Sequence, residues 1–237
     1  MGSVYLLTLR QLAGKWRLLI MTALAAMPVL VTMLTMRAGD APSVVEFEVV
    51  VLSTLLVGSI VPLVVLAIGS AAFGNELEDR TLANLTLAPI PRWQIAVPKL
   101  LAAVTMAGSF IGVSTFLTGN SAFLGDTRAI IAVTLSSVVS VALYAAAFVW
   151  LGLVSPRAIG IGLAYIIVWE GFFSGFVSGI RLLSIRHYSM ALAHGIDPRR
   201  FAEGEHPGLV ATVVVSVVLL GGFLGLTVRR LKRMDVP

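Results

Sequence analysis

The sequence predicts an all-α membrane protein with six transmembrane helices and with both termini in the cytoplasm. Three observations predict this fold: a high hydropathy, six long stretches almost without charge, and an uneven distribution of arginine and lysine. Of the 237 residues, 58% are hydrophobic and 12% are charged, and the mean hydropathy is +0.97. A soluble domain carries about 25% charged residues, and a core of this size cannot hide so much apolar surface from water. Disorder is excluded as well, because it needs low hydropathy.

Each uncharged stretch is long enough to cross the bilayer once, because a spanning helix needs about 20 apolar residues. A helix satisfies its own backbone hydrogen bonds in lipid, and the sequence lacks the strict alternation of a membrane β-barrel. The whole chain, 1–237, is therefore predicted to be a single membrane domain. An interfacial helix over 1–17 precedes the predicted spans, which are 18–36, 49–73, 100–120, 129–153, 158–180 and 207–228.

Lysine and arginine set the predicted orientation of the spans. If the N-terminus is inside, the cytoplasmic segments hold eleven of these residues and the external segments hold six. Acidic residues show the opposite bias, with four inside and seven outside. The positive-inside rule then places both termini in the cytoplasm. The net charge of +5 follows from this topology and does not indicate binding of nucleic acid.

The longest predicted cytoplasmic loop, between spans two and three, contains a short helix over 76–87. Asn75 followed by Glu78 is a capping-box pattern, and the first turn is rich in acidic residues, which the positive end of the helix dipole favours. The helix is expected to end before Pro89, because residues that precede proline avoid the helical region.

This loop helix has a small apolar face outside the membrane. Leu82 and Leu85 are three residues apart and therefore lie on the same face. A solvated helical hairpin is one reading of this pattern. A docking surface for a cytoplasmic partner is the favoured reading, because exposed leucines at a fixed turn need cover.

The same loop carries a longer pattern of charged, apolar and proline positions. It reads Glu76-x-Glu78-Asp79-Arg80-Thr81-Leu82-x-x-Leu85, then Pro89-Ile90-x-Arg92-x-x-Ile95, and ends on Lys99-Leu100. This pattern resembles the loop between helices two and three in the type-2 integral-membrane permease family of ATP-binding-cassette transporters. In that family the loop helix is the coupling helix, which docks on the ATPase subunit.

The resemblance implies that the chain is the permease subunit of an ATP-binding-cassette exporter. Such a subunit forms the translocation pathway and couples to a separate ATPase subunit, here through the 76–87 helix. It also implies a second permease copy, identical or related, and a multi-pass location in the plasma membrane of a prokaryote. The coupling residues that it implies are Glu76, Glu78, Asp79, Arg80, Thr81, Leu82, Leu85 and Arg92.

The sequence contains no nucleotide-binding motif of its own. A phosphate-binding Walker loop needs Gly-x-x-x-x-Gly-Lys-Ser/Thr, whereas the one Gly-Lys pair, Gly14-Lys15, is followed by Trp16. The chain is therefore not expected to be an enzyme or to hold a cofactor. ATP and magnesium are expected in the partner ATPase, and membrane lipid is expected around the spans.

Glu170 is the one charge inside a predicted span. A central carboxylate costs roughly 2.5–3.5 kcal/mol to insert, so it is expected to face protein or water. At about 100° per residue, a polar stripe and a face of small residues lie side by side on this helix. We expect these faces to line the pathway or a dimer interface, and a structural hydrogen bond is the alternative role of Glu170. The polar stripe contains Glu170, Ser174, Ser178 and Arg181, and the small face contains Gly171, Gly175 and Gly179.

An external amphipathic segment, 181–206, is predicted between helices five and six. It contains His187, His194 and His206, at spacings of 7 and 12 residues that do not bring them to one helical turn. The chain has no cysteine, which removes disulfides, thiolate metal sites and cysteine nucleophiles. No metal site is predicted.

Other functions are alternatives to transport. An intramembrane serine protease is disfavoured, because no predicted span carries a central histidine or lysine to activate Ser174. A channel needs rings of charge or a filter of carbonyl groups, and one glutamate per chain is a thin basis for either. A channel subunit and a non-transporting scaffold both remain open. The few charges inside the spans favour an apolar or amphipathic substrate and do not identify it.

Overall fold

The computed structural model describes residues 1–37, 43–78, 90–173, 184–201 and 207–234, and the regular structure in these ranges is entirely helical. Its helices are long and apolar, as lipid requires of a segment that must satisfy its own backbone. The chain is therefore a multi-pass membrane protein. Within these described ranges, five helices are long and apolar enough to cross a bilayer: Lys15–Arg37, Phe47–Leu77, Trp93–Phe123, Thr127–Val154 and Leu209–Arg233.

The prediction of six spans is confirmed only as far as five. The fifth predicted span, 158–180, is described as far as Phe173. Its described part contains the apolar helix Ala158–Gly171, and positions 174–180 lie outside the described residues. We call the five long helices the first, second, third, fourth and last spans, and we call the helical segment from Ala158 to Phe173 the short helix.

The second and third spans are longer than the sequence predicted. Three charged residues flank the predicted bounds 49–73 and 100–120, and all three lie inside the helices. Glu48, Glu76 and Lys99 are 1%, 5% and 0% exposed, respectively. A charge that finds a partner within the protein therefore does not end a helix, and the helices extend past the predicted bounds.

The fourth span is the centre of the bundle, since the second, third and last spans and helix Ile185–Ile196 all pack against it. Small residues allow the closest of these contacts. A Cβ atom at Gly152 would lie 2.3 Å from the Ser70 carbonyl oxygen on the second span. Phe148 of the fourth span packs against Gly69 of the second span, where a Cβ atom would lie 3.0 Å from the Phe148 Cβ. Within the fourth span, Tyr144 stacks on Phe148 with ring centroids 5.8 Å apart. The second span therefore has a fixed position on the fourth.

The second span does not have α-helical geometry throughout. The short α-helix Val44–Glu46 precedes it. The span itself begins as a π-helix over Phe47–Ile60 and continues as α-helix in Val61–Gly69 and Ala71–Glu78. The hydroxyl group of Thr54 donates to the carbonyl five residues earlier, and so does that of Ser59. The short helix is likewise α-helical over Ala158–Ala164 and π-helical over Tyr165–Phe173.

The N-terminal segment is helical over Gly2–Leu12 and packs along the third span. Thr8 and Leu12 are buried on this side, and the Tyr5 hydroxyl lies 3.1 Å from Oγ1 of Thr105. Leucines on the opposite side are more than half exposed. The helix therefore has one face on the bundle and one apolar face outside it, as expected of a helix at a membrane interface.

The turn between the third and fourth spans is fixed by Asp126. Leu124 and Gly125 adopt positive φ values of 42° and 95°, which reverse the chain, and Asp126 then caps the fourth span. The backbone N–H of Ala129 and the guanidinium of Arg200, 2.7 Å away, lower the pKa of this carboxyl group. The turn is thereby linked to the segment that follows helix Ile185–Ile196.

Replacing Gly152 with alanine should destabilise the bundle by about 1–3 kcal/mol, because the added methyl group overlaps the backbone of Ser70. The measurement is the unfolding midpoint in a titration with sodium dodecyl sulfate. Gly108→Ala in the third span is the matched control, since a Cβ there meets no atom within 4 Å. Equal midpoints for the two variants would contradict the packing described above.

Candidate functional site

Two clusters of buried polar side chains stand out in the bundle. The first, the Glu170 cluster, consists of the buried residues Glu170 and Ser184 and the half-buried residues Tyr165 and Arg186. The second, the Lys99 cluster, consists of Ala72, Phe73, Glu76 and Lys99. Charged groups in low dielectric need hydrogen bonds or an opposite charge, so each cluster joins the elements that supply those partners.

Glu170 is completely buried and both of its carboxylate oxygens accept hydrogen bonds. Oε1 accepts from the Tyr165 hydroxyl and from the backbone N–H of Ile185, each at 3.1 Å. Oε2 accepts from the Ser184 hydroxyl at 2.5 Å. Charge-assisted hydrogen bonds of this kind offset much of the cost of burying a carboxylate.

The position of Glu170 follows from the helix that begins beside it. Ser184 caps helix Ile185–Ile196, because its Oγ accepts from the backbone N–H of His187 at 3.3 Å. The carboxylate of Glu170 thus lies at a helix N-terminus, where free N–H groups and the helix dipole stabilise negative charge. The short helix and helix Ile185–Ile196 are held together at this point.

Arg186 connects this cluster to the second span. Its Nε and Nη2 atoms donate to Oγ of Ser53 at 3.0 and 2.7 Å, and Nη2 also lies 3.3 Å from Oγ1 of Thr54. A Cβ atom at Gly58 would lie only 3.2 Å from Nη1, so the glycine leaves room for the guanidinium. Burial lowers the pKa of Arg186, and the negative charge of Glu170 opposes that shift.

An apolar cleft opens between the second span and the short helix. Its volume is about 790 Å³, which is within the range of small-molecule sites. Gly171, next to Glu170, is exposed on its wall. The lining residues are Gly58, Ser59, Leu63, Leu163, Ile166, Ile167, Val168 and Gly171.

The predicted pathway residues are described only in part. Glu170 and Gly171 lie in the described structure, and a Cβ at Gly171 would meet only its own helix, at the Ile166 carbonyl oxygen, 3.6 Å away. The predicted polar stripe assumes an angle of about 100° between successive residues of an α-helix. The π-helical winding of Tyr165–Phe173 changes this angle. The remaining predicted residues, Ser174, Gly175, Ser178, Gly179 and Arg181, lie outside the described residues.

The Lys99 cluster lies where the second span meets the third. Lys99 is completely buried, and its Nζ atom donates to Glu76 Oε1 at 2.7 Å and to the carbonyl oxygen of Ala72. The ammonium also lies 4.7 Å from the centre of the Phe73 ring. An ion pair, a carbonyl and an aromatic face together surround one cation.

The predicted coupling residues that the structure describes lie on both sides of positions 79–89, which are outside the described residues. Glu76 is buried in the Lys99 cluster, and Glu78 is the last residue of helix Ala71–Glu78. Arg92 is half-buried just before the third span, and its buried Nη1 has no hydrogen-bond partner among the described residues. The other predicted coupling residues, Asp79, Arg80, Thr81, Leu82 and Leu85, lie outside the described residues.

Sequence reasoning missed several members of these clusters. Lys99 lies at the end of the predicted loop, and its local sequence does not predict a buried pair with Glu76. Ser184 and Arg186 gave no local signal, because their neighbours come from distant parts of the chain. Within the described residues, no group of three His, Asp or Glu side chains could hold a metal ion.

No protein-family model matches the chain, and no curated protein matches it. The resemblance to a permease family therefore stays a prediction that rests on the motif from Glu76 to Leu100.

Removing either partner of the buried ion pair should be strongly destabilising. Lys99→Met leaves the Glu76 carboxylate buried without its cation, and Glu76→Leu leaves the ammonium buried without its anion. Each should lower the free energy of unfolding by about 3–5 kcal/mol in a detergent titration. The double variant should be more stable than either single variant, because it leaves no unpaired charge. Additive losses would contradict a direct pair.

Glu170 and Ser184 should be energetically coupled through their hydrogen bond. In a double-mutant cycle of Glu170→Ala and Ser184→Ala, we expect a coupling free energy of about 1.5–3 kcal/mol. Ser109→Ala in the third span is the control partner, since Ser109 bonds the Met106 carbonyl of its own helix. Its effect should add to that of Glu170→Ala. A coupling free energy of zero for Glu170 and Ser184, as for Glu170 and Ser109, would contradict a hydrogen bond between Glu170 and Ser184.

Proposed function

We propose that the chain is the permease subunit of an ATP-binding-cassette exporter and couples to a separate ATPase subunit through the loop between its second and third spans. The observation that carries the proposal is the buried pair of Lys99 and Glu76, 2.7 Å apart. These residues stand near the two ends of the motif that resembles a coupling loop. The pair therefore joins the end of the second span to the start of the third, on either side of the predicted loop.

A loop whose two flanking helices are joined by an ion pair is suited to transmit force. Glu76 lies in Ala71–Glu78, which continues the second span, and Lys99 lies in the third span. A push on the loop would reach both spans at once, because separating the pair in low dielectric is costly. A further hydrogen bond at 3.2 Å, from Arg17 to the Asn75 side chain, extends this linkage to the first span.

The translocation pathway is assigned to the cleft between the second span and the short helix. The second span forms one wall of this cleft and also reaches the loop, so one rigid element would connect ATPase and pathway. In this proposal two permease copies, identical or related, surround the path in a prokaryotic plasma membrane. ATP and magnesium are bound by the ATPase. Transport requires that substrate and ATP favour different arrangements of these helices.

The decisive experiment is the replacement of the two loop leucines. Leu82→Asp combined with Leu85→Asp should abolish copurification of an ATPase from native membranes, because charges replace the predicted docking face. The double variant should still insert and show the unfolding midpoint of the unmodified chain.

Leu124→Asp is the matched control for this experiment. Leu124 is 85% exposed in the turn between the third and fourth spans, and its positive φ accommodates aspartate. This variant should retain the ATPase. The proposed function fails if the unmodified protein purifies without any ATPase, or if both variants retain ATP-driven transport equally.

A further inference from the structure

The last span ends in four cations within five residues. Arg229, Arg230, Lys232 and Arg233 are all exposed, and none of them forms an ion pair within the described residues. The single acid that follows in the sequence is Asp235, so the segment 229–235 has a net charge of +3. We call these four residues the basic cluster.

The basic cluster lies on one side of the helix. At about 100° per residue, with Arg229 at zero, the four cations occupy an arc of about 160° centred near 20°. Leu231 lies at about 200°, directly opposite, and is 1% exposed. The buried leucine fixes the helix end on the bundle, so the cations are directed away from the protein.

An exposed apolar strip continues along the same arc. Val214, Val218 and Leu226 fall at about 300°, 340° and 60°, and they are 54%, 65% and 42% exposed. Gly222 and Gly225 lie between them at about 20° and 320°, and a Cβ at either position would meet no atom within 4 Å. The two glycines place no side chain on this part of the strip.

The part of the strip that begins at Val218 matches one leaflet of a bilayer in length. Val218 precedes Arg229 by eleven residues, or about 16 Å at the helical rise, and half of a hydrocarbon core is about 15 Å. A ligand that used the whole surface would need a long apolar body and an anionic end. A soluble acidic partner would contact the cations and leave the strip uncovered.

We propose that this surface binds an anionic phospholipid. One acyl chain lies along the strip from Val218 to Leu226, against Gly222 and Gly225. The phosphate head group binds the basic cluster. Arginine suits this role because its planar guanidinium donates two parallel hydrogen bonds to phosphate oxygens.

The test uses the full chain in phosphatidylcholine vesicles that contain a trace of spin-labelled lipid. The label is carried by phosphatidylglycerol or by phosphatidylcholine with the same acyl chains, and the fraction held at the protein surface is measured. The unmodified chain should prefer phosphatidylglycerol. Since each cation near the surface contributes to the attraction, replacing all four with glutamine should reduce that preference at least about tenfold.

A matched control removes the same charge elsewhere. Arg10→Gln, Lys15→Gln, Arg157→Gln and Arg199→Gln together delete four exposed but scattered cations, and the preference should change less than about threefold. Arg229→Gln with Arg233→Gln is a milder variant, and it should lose part of the preference if the fourfold variant fails to insert.

Three results would overturn the proposal. The basic-cluster variants could retain the full preference, or the scattered variant could lose as much of it. Inorganic phosphate or polyglutamate could also displace the labelled lipid from the unmodified chain at a similar charge concentration, which would assign the surface to a soluble anion. None of these readouts depends on an ATPase, so this proposal and the proposed function can fail separately.

Discussion

The architecture depends on the cost of burying charge in a medium of low dielectric. Lys99 shows this constraint most clearly, because its ammonium reaches Glu76, the Ala72 carbonyl and the Phe73 ring without contact with solvent. Each of these partners belongs to the second span, whereas Lys99 belongs to the third. The charge can be satisfied only when the two helices lie in one register, so the ion pair specifies the packing as well as stabilising it.

The second span is held in this way near both ends. The cation of Lys99 binds it at Glu76, and the guanidinium of Arg186 binds it at Ser53 and Thr54. Arg186 in turn interacts electrostatically with the Glu170 carboxylate, which joins the short helix to helix Ile185–Ile196. The buried cation of Lys99 and the half-buried cation of Arg186 thus attach a single helix to the loop side of the bundle and to the opposite side.

The sequence predicted the class of the fold well, because hydropathy and length are local properties. Four of the six predicted spans lie within long helices over their whole length, and the last does so except at its first two residues. The helices extend past the bounds predicted near Glu76 and Lys99, because composition cannot show that two charges 23 residues apart neutralise each other. Glu170 was identified from its rarity in an apolar helix, whereas Tyr165, Ser184 and Arg186 become its neighbours only through tertiary structure and π-helical winding.

The same constraint limits where the bundle can move. Separating a buried ion pair or a hydrogen-bonded carboxylate leaves groups unsatisfied, so those contacts should stay intact through any conformational change. Apolar surfaces carry no such penalty, and they meet lipid as readily as protein. The cleft beside Gly58 and Gly171 has apolar walls, so motion there would leave few polar groups without hydrogen-bond partners. Relative motion of the second span and the short helix should therefore take place at this cleft, with the two polar clusters as its fixed ends.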